Sequence, residues 1–301
     1  MKKVVLLVGI SLLMGACSNV RKQVDKDDLK STESSESQQP AFPVKEGDVV
    51  AGINLTVAEG KRLIAKGIAN MPAVKEKLNK GIVVITSGTT NTYIAEELAG
   101  LKAPRGSFLT GNIVPQGAKS PNSGLERVSN ITLIDGKVSD INYEEAFGQM
   151  QEGDIVFKGA NLLNYERKQA AVCIGAPDGG TTTRVRTVAG EGKARLIVPI
   201  GLEKEVYGDL NEYEAFFANQ IEQLSYVPKV WVHQDAEIFT EIEAIRTFAE
   251  VNVLPWAAGG IAGREGGISL AVYGAKPEVQ KILDLIASIQ GEKSFVEPHN
   301  F

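Results

Sequence analysis

The sequence predicts an α/β protein: a mostly parallel, three-layer sheet domain followed by a small ferredoxin-like α+β unit. Three observations carry this. Short β-branched runs such as Ile82-Val83-Val84-Ile85 recur between segments of helical periodicity, the pattern of strands buried on both faces and joined by crossover helices. Gly- and Thr-rich loops stand where these strands give way to helices. The last 75 or so residues read strand, helix, strand, strand, helix, the order of a ferredoxin-like unit.

The elements follow in order. Lys2 and Lys3 precede an apolar run, Val4 to Met14, too short to span a bilayer and of the length of a signal peptide. Gly15-Ala16-Cys17 ends it. Small residues before a cysteine resemble the bacterial lipobox, which implies cleavage after Ala16 and acylation of Cys17. Residues 1–16 are therefore expected to be signal peptide. Residues 17–46, rich in Ser, Glu, Gln, Asp and Lys, are expected to be a lipidated cysteine with a disordered linker, because such a composition buries too little apolar surface to offset ordering. The expected location is the cell membrane or outer membrane, lipid-anchored and extracytoplasmic.

The folded part is then expected over 47–226 and 227–301. Thr56-Val57-Ala58-Glu59 is a capping box opening a helix to about Asn70. Pro72 opens another, through Leu78. The strand at 81–86 leads into Ser87-Gly88-Thr89-Thr90-Asn91 and a helix over 93–98. Ile131 to Ile134 and Lys137 to Ser139, joined by Asp135-Gly136, read as a hairpin with a type I′ turn. A helix is expected over 143–150, strands at 154–157, 171–174 and 195–199, and a helix capped by Asp209 to about Leu224. In the last unit, strands are expected at 230–232, 251–255 and 268–273, with helices over 236–249 and 278–289.

Composition narrows function. The chain has 301 residues, 43% of them apolar, and a net charge of −5. No basic stretch follows the signal, so nucleic acid is not an expected partner. Two histidines, His233 and His299, exclude a His-rich metal site by count. Nothing in the sequence signals a cofactor. Cys173, in an apolar run, reads as a small hydrophobe.

Chemistry is expected at the carboxyl ends of strands, where ligands of open parallel sheets bind. Ser87, Gly88, Thr89, Thr90 and Asn91 form the first candidate loop. Asp178, Gly179, Gly180, Thr181 and Thr182 form the second. Gly permits close backbone approach, hydroxyls donate hydrogen bonds, and a following helix N-terminus favours an anion. A loop with five glycines in eleven residues, Ala257 to Gly267, is a candidate lid that would carry Arg264 onto that anion.

Ile85-Thr86-Ser87-Gly88-Thr89-Thr90 resembles the first phosphate loop of the superfamily containing ribose-5-phosphate isomerase, glucosamine-6-phosphate deaminase, 6-phosphogluconolactonase and the DeoR effector domains. Ile174-Gly175-Ala176-Pro177-Asp178-Gly179 is similar to that superfamily's Gly-Pro-Asp-Gly-His segment. The likeness spans roughly residues 55–205. It implies a sugar-phosphate site, with Lys158 of Lys158-Gly159-Ala160-Asn161 and the downstream Glu166 as catalytic candidates, stabilising an enediolate and shuttling a proton. The histidine of the deaminase and lactonase branches would fall at Gly180, so that acid/base is missing. Sugar phosphates are also scarce outside the cytoplasm. The expected function is therefore a membrane-tethered lipoprotein that binds a small phosphorylated or carboxylated ligand, without catalysis. The alternatives are an isomerase or hydrolase of a sugar phosphate, an envelope interaction protein, and a two-lobed solute-binding lipoprotein.

Overall fold

The computed structural model describes residues 42–219 and 221–295. The expected signal peptide, Cys17 and the linker up to residue 41 lie outside them. Residues 42–46 are exposed. Among the described residues no helix is long and apolar enough to cross a membrane.

Twelve strands and eight α-helices are described. In chain order they are β1 (Asp48–Leu55), α1 (Val57–Asn70), α2 (Pro72–Asn79), β2 (Ile82–Ile85), α3 (Thr89–Ala99), β3 (Ile131–Ile134) and β4 (Lys137–Ser139). Next come α4 (Tyr143–Gln149), β5 (Asp154–Phe157), β6 (Leu162–Asn164), β7 (Gln169–Ile174), α5 (Gly180–Gly190) and β8 (Ala194–Pro199). The chain continues through α6 (Leu210–Phe217), β9 (Lys229–Val232), β10 (Glu237–Phe239) and α7 (Glu241–Arg246). It closes with β11 (Asn252–Ala258), β12 (Ile268–Ala275) and α8 (Lys276–Ala287).

The protein is α/β, built on a mixed six-stranded sheet in the order β10-β8-β5-β2-β3-β4. β2, β5, β8 and β10 are parallel neighbours. β3 and β4 add an antiparallel hairpin at one edge. Its turn is of the expected kind: Asp135 and Gly136 both hold positive φ, at 49° and 74°, the pair a type I′ turn requires. The central strands are apolar and buried, with helices packed on the sheet. α1 packs on α3 and α7, while α4 rests on β2 and β3 and α5 on β8. Val83, Val84, Ile155, Val156 and Ile197 are wholly buried.

Local chemistry explains where helices begin. Thr56 caps α1 through its side chain, and Glu59 answers to the Thr56 backbone N–H, a complete capping box. Thr240 and Glu243 repeat the device at α7, and Asp209 caps α6. Gly67 lets α1 lie directly on α7, since a Cβ there would stand 2.5 Å from the Ala244 backbone.

Among the described residues the strands after 227 do not form one ferredoxin-like sheet, and the division at 226 and 227 does not separate two units. Val44 to Phe301 group as one unit, because the late strands go to three different sheets. β9 joins β6 and β7 in an antiparallel sheet, β10 becomes the parallel edge strand of the main sheet, and β11 and β12 pair with β1. β1 and β12 are in register over their whole length, from Asp48 opposite Ala275 to Leu55 opposite Ile268. Neither do two similar lobes arise, as the solute-binding alternative requires. The residues after α8 are tied back by ion pairs: Glu292 accepts from Arg62 and Arg105, which also pair with Glu96 and lie over the Tyr93 ring.

Candidate functional site: the carboxyl edge of the six-stranded sheet

Because β2, β5, β8 and β10 are parallel, Ile85, Phe157, Pro199 and Phe239 end along one edge. A polar segment follows each of them.

After β2 the first candidate loop turns sharply and is fastened to the end of β5. The Thr86 amide donates to the Phe157 carbonyl at 3.1 Å, and the Thr86 hydroxyl donates to the same oxygen at 2.9 Å. Asn91 Nδ2 donates to the carbonyls of Thr86, at 2.7 Å, and Phe157, at 3.2 Å. These bonds leave Asn91 Oδ1 buried without a partner, and the buried Thr90 hydroxyl is in the same state. Such orphans are uncommon in folded proteins. Ser87 donates its amide to Asn130 Oδ1 and pairs its hydroxyl with Thr110. Gly88 precedes α3 and provides no side-chain cap.

After β5 comes Lys158. It is half-buried. Dehydration draws its ammonium down to about 8. Among the described residues no hydrogen bond or ion pair engages Nζ. Two residues on, the Ala160 carbonyl accepts a 2.8 Å bond from Lys204 Nζ, on the turn after β8. Burial also lowers Lys204 to about 8, aided by Lys61 and opposed by Glu203 and Glu241.

After β10 comes Glu241, 2% exposed. Its Oε2 accepts from the Leu202 amide at 3.0 Å. Its Oε1 occupies the space a Cβ on Gly60 would need, 2.6 Å away. Burial first, then the neighbouring Glu203 charge, pushes its carboxyl well above the usual carboxylate range. Glu203 pairs with Lys61 of α1 at 3.7 Å.

β9 brings His233 over this edge. It is 4% exposed and stands 3.3 Å from the Gly159 carbonyl through Nε2. A carbonyl only accepts, so Nε2 carries the proton and Nδ1 holds a lone pair, which has no partner. Burial, and next the Lys158 charge, drives the imidazole down to about 3. It is neutral at any physiological pH.

The other sequence candidates fall elsewhere. The second loop leaves β7, a strand of the β6-β7-β9 sheet and not of the main one, so the two loops are not ends of a single sheet. Asp178 is exposed, accepts from the Gly180 amide at 3.0 Å and pairs with Arg184. Gly179 holds φ at 78° with the Trp231 ring 2.4 Å from where a Cβ would be, so the glycine is needed for packing. Thr182 is buried, and Thr181 is partly so. Among the described residues no hydrogen bond or ion pair joins 178–182 to 87–91 or to Lys158. Arg264 is engaged within the β1-β12-β11 sheet, donating to the Gly259 carbonyl, Asn54 and Ser269, and makes no hydrogen bond or ion pair with the edge residues among the described ones. Glu166 is exposed in the β6–β7 turn and makes no ion pair with Lys158. The buried carboxyl at this edge is Glu241. Cys173 is half-buried beside Leu210, Val230 and Val232, and burial raises its thiol.

A cavity of about 530 Å³ lies off this edge, at the amino ends of β8 and β10. In its lining Arg195 pairs with Glu237 and Arg186 with Glu214, while Arg186 Nε is buried without a partner. No family model, curated protein or solved structure matches the chain.

Proposed function

We propose that the chain is a lipid-anchored extracytoplasmic protein whose α/β domain binds a small phosphorylated or carboxylated ligand at the carboxyl edge of its six-stranded sheet. The observation that supports this most is Lys158. An ammonium enclosed by protein without a counter-charge is costly, and an incoming anion removes that cost. Lys204, fixed two residues away on the Ala160 carbonyl, adds a second positive charge. The amides of Thr86, Ser87 and Gly88 are taken by Phe157, Asn130 and Phe108, and the start of α3, which has no side-chain cap, supplies the backbone donors. In this reading the helices on the two faces of the sheet make a three-layer architecture. The loop from Ile85 to Thr90 plays the part it has in the sugar-phosphate isomerase and deaminase superfamily, while 178–182 does not take part.

A second reading, turnover of a sugar phosphate, draws on Glu241. Burial and the neighbouring Glu203 charge hold its carboxyl above the usual carboxylate range, the direction that favours proton exchange. It would replace Glu166 in the acid/base role.

The test is a thermal-shift screen of inorganic phosphate, phosphorylated sugars and small carboxylates. A ligand at a hundredfold excess over its Kd stabilises by about 2.7 kcal/mol, a rise of several degrees for a domain of this size. The rise should vanish in Lys158→Ala and weaken in Thr89→Ala/Thr90→Ala. A rise unchanged in Lys158→Ala removes the ligand from this edge.

A further inference from the structure

We infer that β1 is a pairing edge, and that the partner it takes is the β1 of a second copy of this chain, set antiparallel about Gly52.

An open sheet edge is a row of unmet amides and carbonyls, and folded proteins shorten it, cover it or break it. The other edges here show each device. β4 and β10 hold three residues each. β6 is as short, and Val206 closes on it by donating to the Leu163 carbonyl at 2.8 Å. β9 has four residues and lies against α6. β11 is longer but carries Pro255 and a register shift between Pro255 and Ala257. β1 has none of these protections. It runs eight residues, Asp48 to Leu55, without proline, lysine or arginine, and its one charge is Asp48 at the end.

The β11–β12 hairpin fixes where its free groups point. Successive residues of an antiparallel strand turn their amides and carbonyls to one neighbour and then the other. Gly259 donates to the Gly267 carbonyl at 2.8 Å, continuing the pairing of Ala257 with Ser269. Ser269, Ala271 and Tyr273 therefore face β11, while Ile268, Leu270, Val272 and Gly274 face β1. The partners of those four are Leu55, Ile53, Ala51 and Val49. The amides and carbonyls of Val50, Gly52 and Asn54 are left pointing outward. The Asp48 amide agrees, since it goes to the Lys45 carbonyl at 3.1 Å. Among the described residues no strand pairs with this side of β1. Val50, Gly52 and Asn54 are exposed, and nothing stands within 4 Å of a Cβ placed on Gly52.

The sequence of β1 suits a copy of itself. About Gly52, Val50 lies opposite Asn54 of the second copy, Ala51 opposite Ile53, Val49 opposite Leu55 and Asp48 opposite Thr56, so no like charges meet. The outward residues 50, 52 and 54 fall opposite one another, and each unmet amide finds a carbonyl. The apolar row continues across the join: Val49 and Ala51, half-buried in one copy, stand opposite Leu55 and Ile53, 1% and 2% exposed. The chain's own upstream segment suits the edge less well. Residues 31–40 are serine, threonine, glutamate, glutamine and proline throughout, a composition poor in strand formers. A two-fold contact of this kind closes on itself and stops at the dimer.

The test uses the full chain with Cys17→Ser, so that no acyl chain drives association. Sedimentation should give about twice the 32.3 kDa mass of one chain. Val50→Pro removes an outward amide and no bond to β12, and should give a monomer. Val50→Lys keeps the backbone intact at an exposed position and should weaken the dimer roughly tenfold. With Cys173→Ser added no native thiol remains. Gly52→Cys in that chain should then form an interchain disulfide, because opposed Cα atoms about 5.5 Å apart are within disulfide reach. Its yield should be roughly tenfold or more that of Val138→Cys, at an exposed position on β4. The cross-link and Val50→Lys decide the matter even if Val50→Pro does not fold. A monomer at every concentration, a dimer that the Val50 variants leave intact, or equal cross-linking at positions 52 and 138 overturns the inference. A monomer whose Gly52→Cys thiol reacts only after residues 18–41 are deleted overturns it as well, and gives the edge to the chain's own upstream segment.

Discussion

Replacing Lys158 by Met should stabilise the protein while abolishing anion binding. In the fold its ammonium is drawn from 10.5 to about 8. Every tenfold loss of proton affinity corresponds to about 1.36 kcal/mol, so the charged form is disfavoured by about 3 kcal/mol. Water that still reaches the side chain makes this an upper figure. The folded state binds the Lys158 proton more weakly than the unfolded chain does, so the cost is complete below pH 8. It shrinks as pH rises and is gone above 10.5. Methionine has similar length and no charge, and should gain ~2–3 kcal/mol at pH 7 and under ~1 kcal/mol at pH 10. Urea titrations of both proteins at the two pH values measure the difference directly, since alkaline effects common to both cancel. A Lys158→Met protein less stable than wild type at pH 7 would show that a partner inside the protein already satisfies the ammonium. The argument for an anion would then fail.

Other expectations follow from the same geometry. His233 is held near 3 against an ordinary 6.5, so its contribution is present above pH 6.5 and is lost as acid is added. Between pH 7 and 4 this removes about 3 kcal/mol from wild type but not from His233→Leu; denaturant curves that decline in parallel would refute it. Gly67→Ala should cost about 1–3 kcal/mol by forcing α1 off Ala244, seen as a lower midpoint of thermal unfolding. Cys17→Ser should move the protein from the membrane fraction to the soluble one, and a variant that stays with membranes would contradict acylation at that residue.

Much of the fold was legible because its signals are local. The capping box of Thr56 and Glu59, the Asp135-Gly136 turn and the apolar run 82–85 each concern residues within a few positions of one another, and each forms as expected. Three strands were not legible. One is β6, the short run Leu162 to Asn164. Glu237 to Phe239 read as part of a helix over 236–249, because Ile238, Phe239, Ile242 and Ile245 suit helical spacing. The structure pairs 237–239 with β8 and starts the helix afresh at Thr240. β1 alternates too weakly to stand out, and its partner lies at the other end of the chain. The site divided in the same way. Ser87 to Asn91 and Lys158 follow strands that the sequence displays. Lys204, Glu241 and His233 reach the edge only through the order of strands, which no local pattern encodes. Ala171 to Ile174 misled for the same reason: a strand is evident there, but nothing nearby says which sheet it joins.

The pairing of β1 with β12 also has a bearing on time. Every backbone bond that Asp48 to Leu55 makes across the sheet is to Ile268 to Ala275, so the first strand of the folded region has no partner until nearly all of the chain has been made. Closing so long a stretch adds entropy only slowly with length, yet it delays assembly, because the contact is as non-local as the topology allows. Asp48 to Leu55 therefore remain an unmatched β-edge until Ile268 to Ala275 arrive to pair with them.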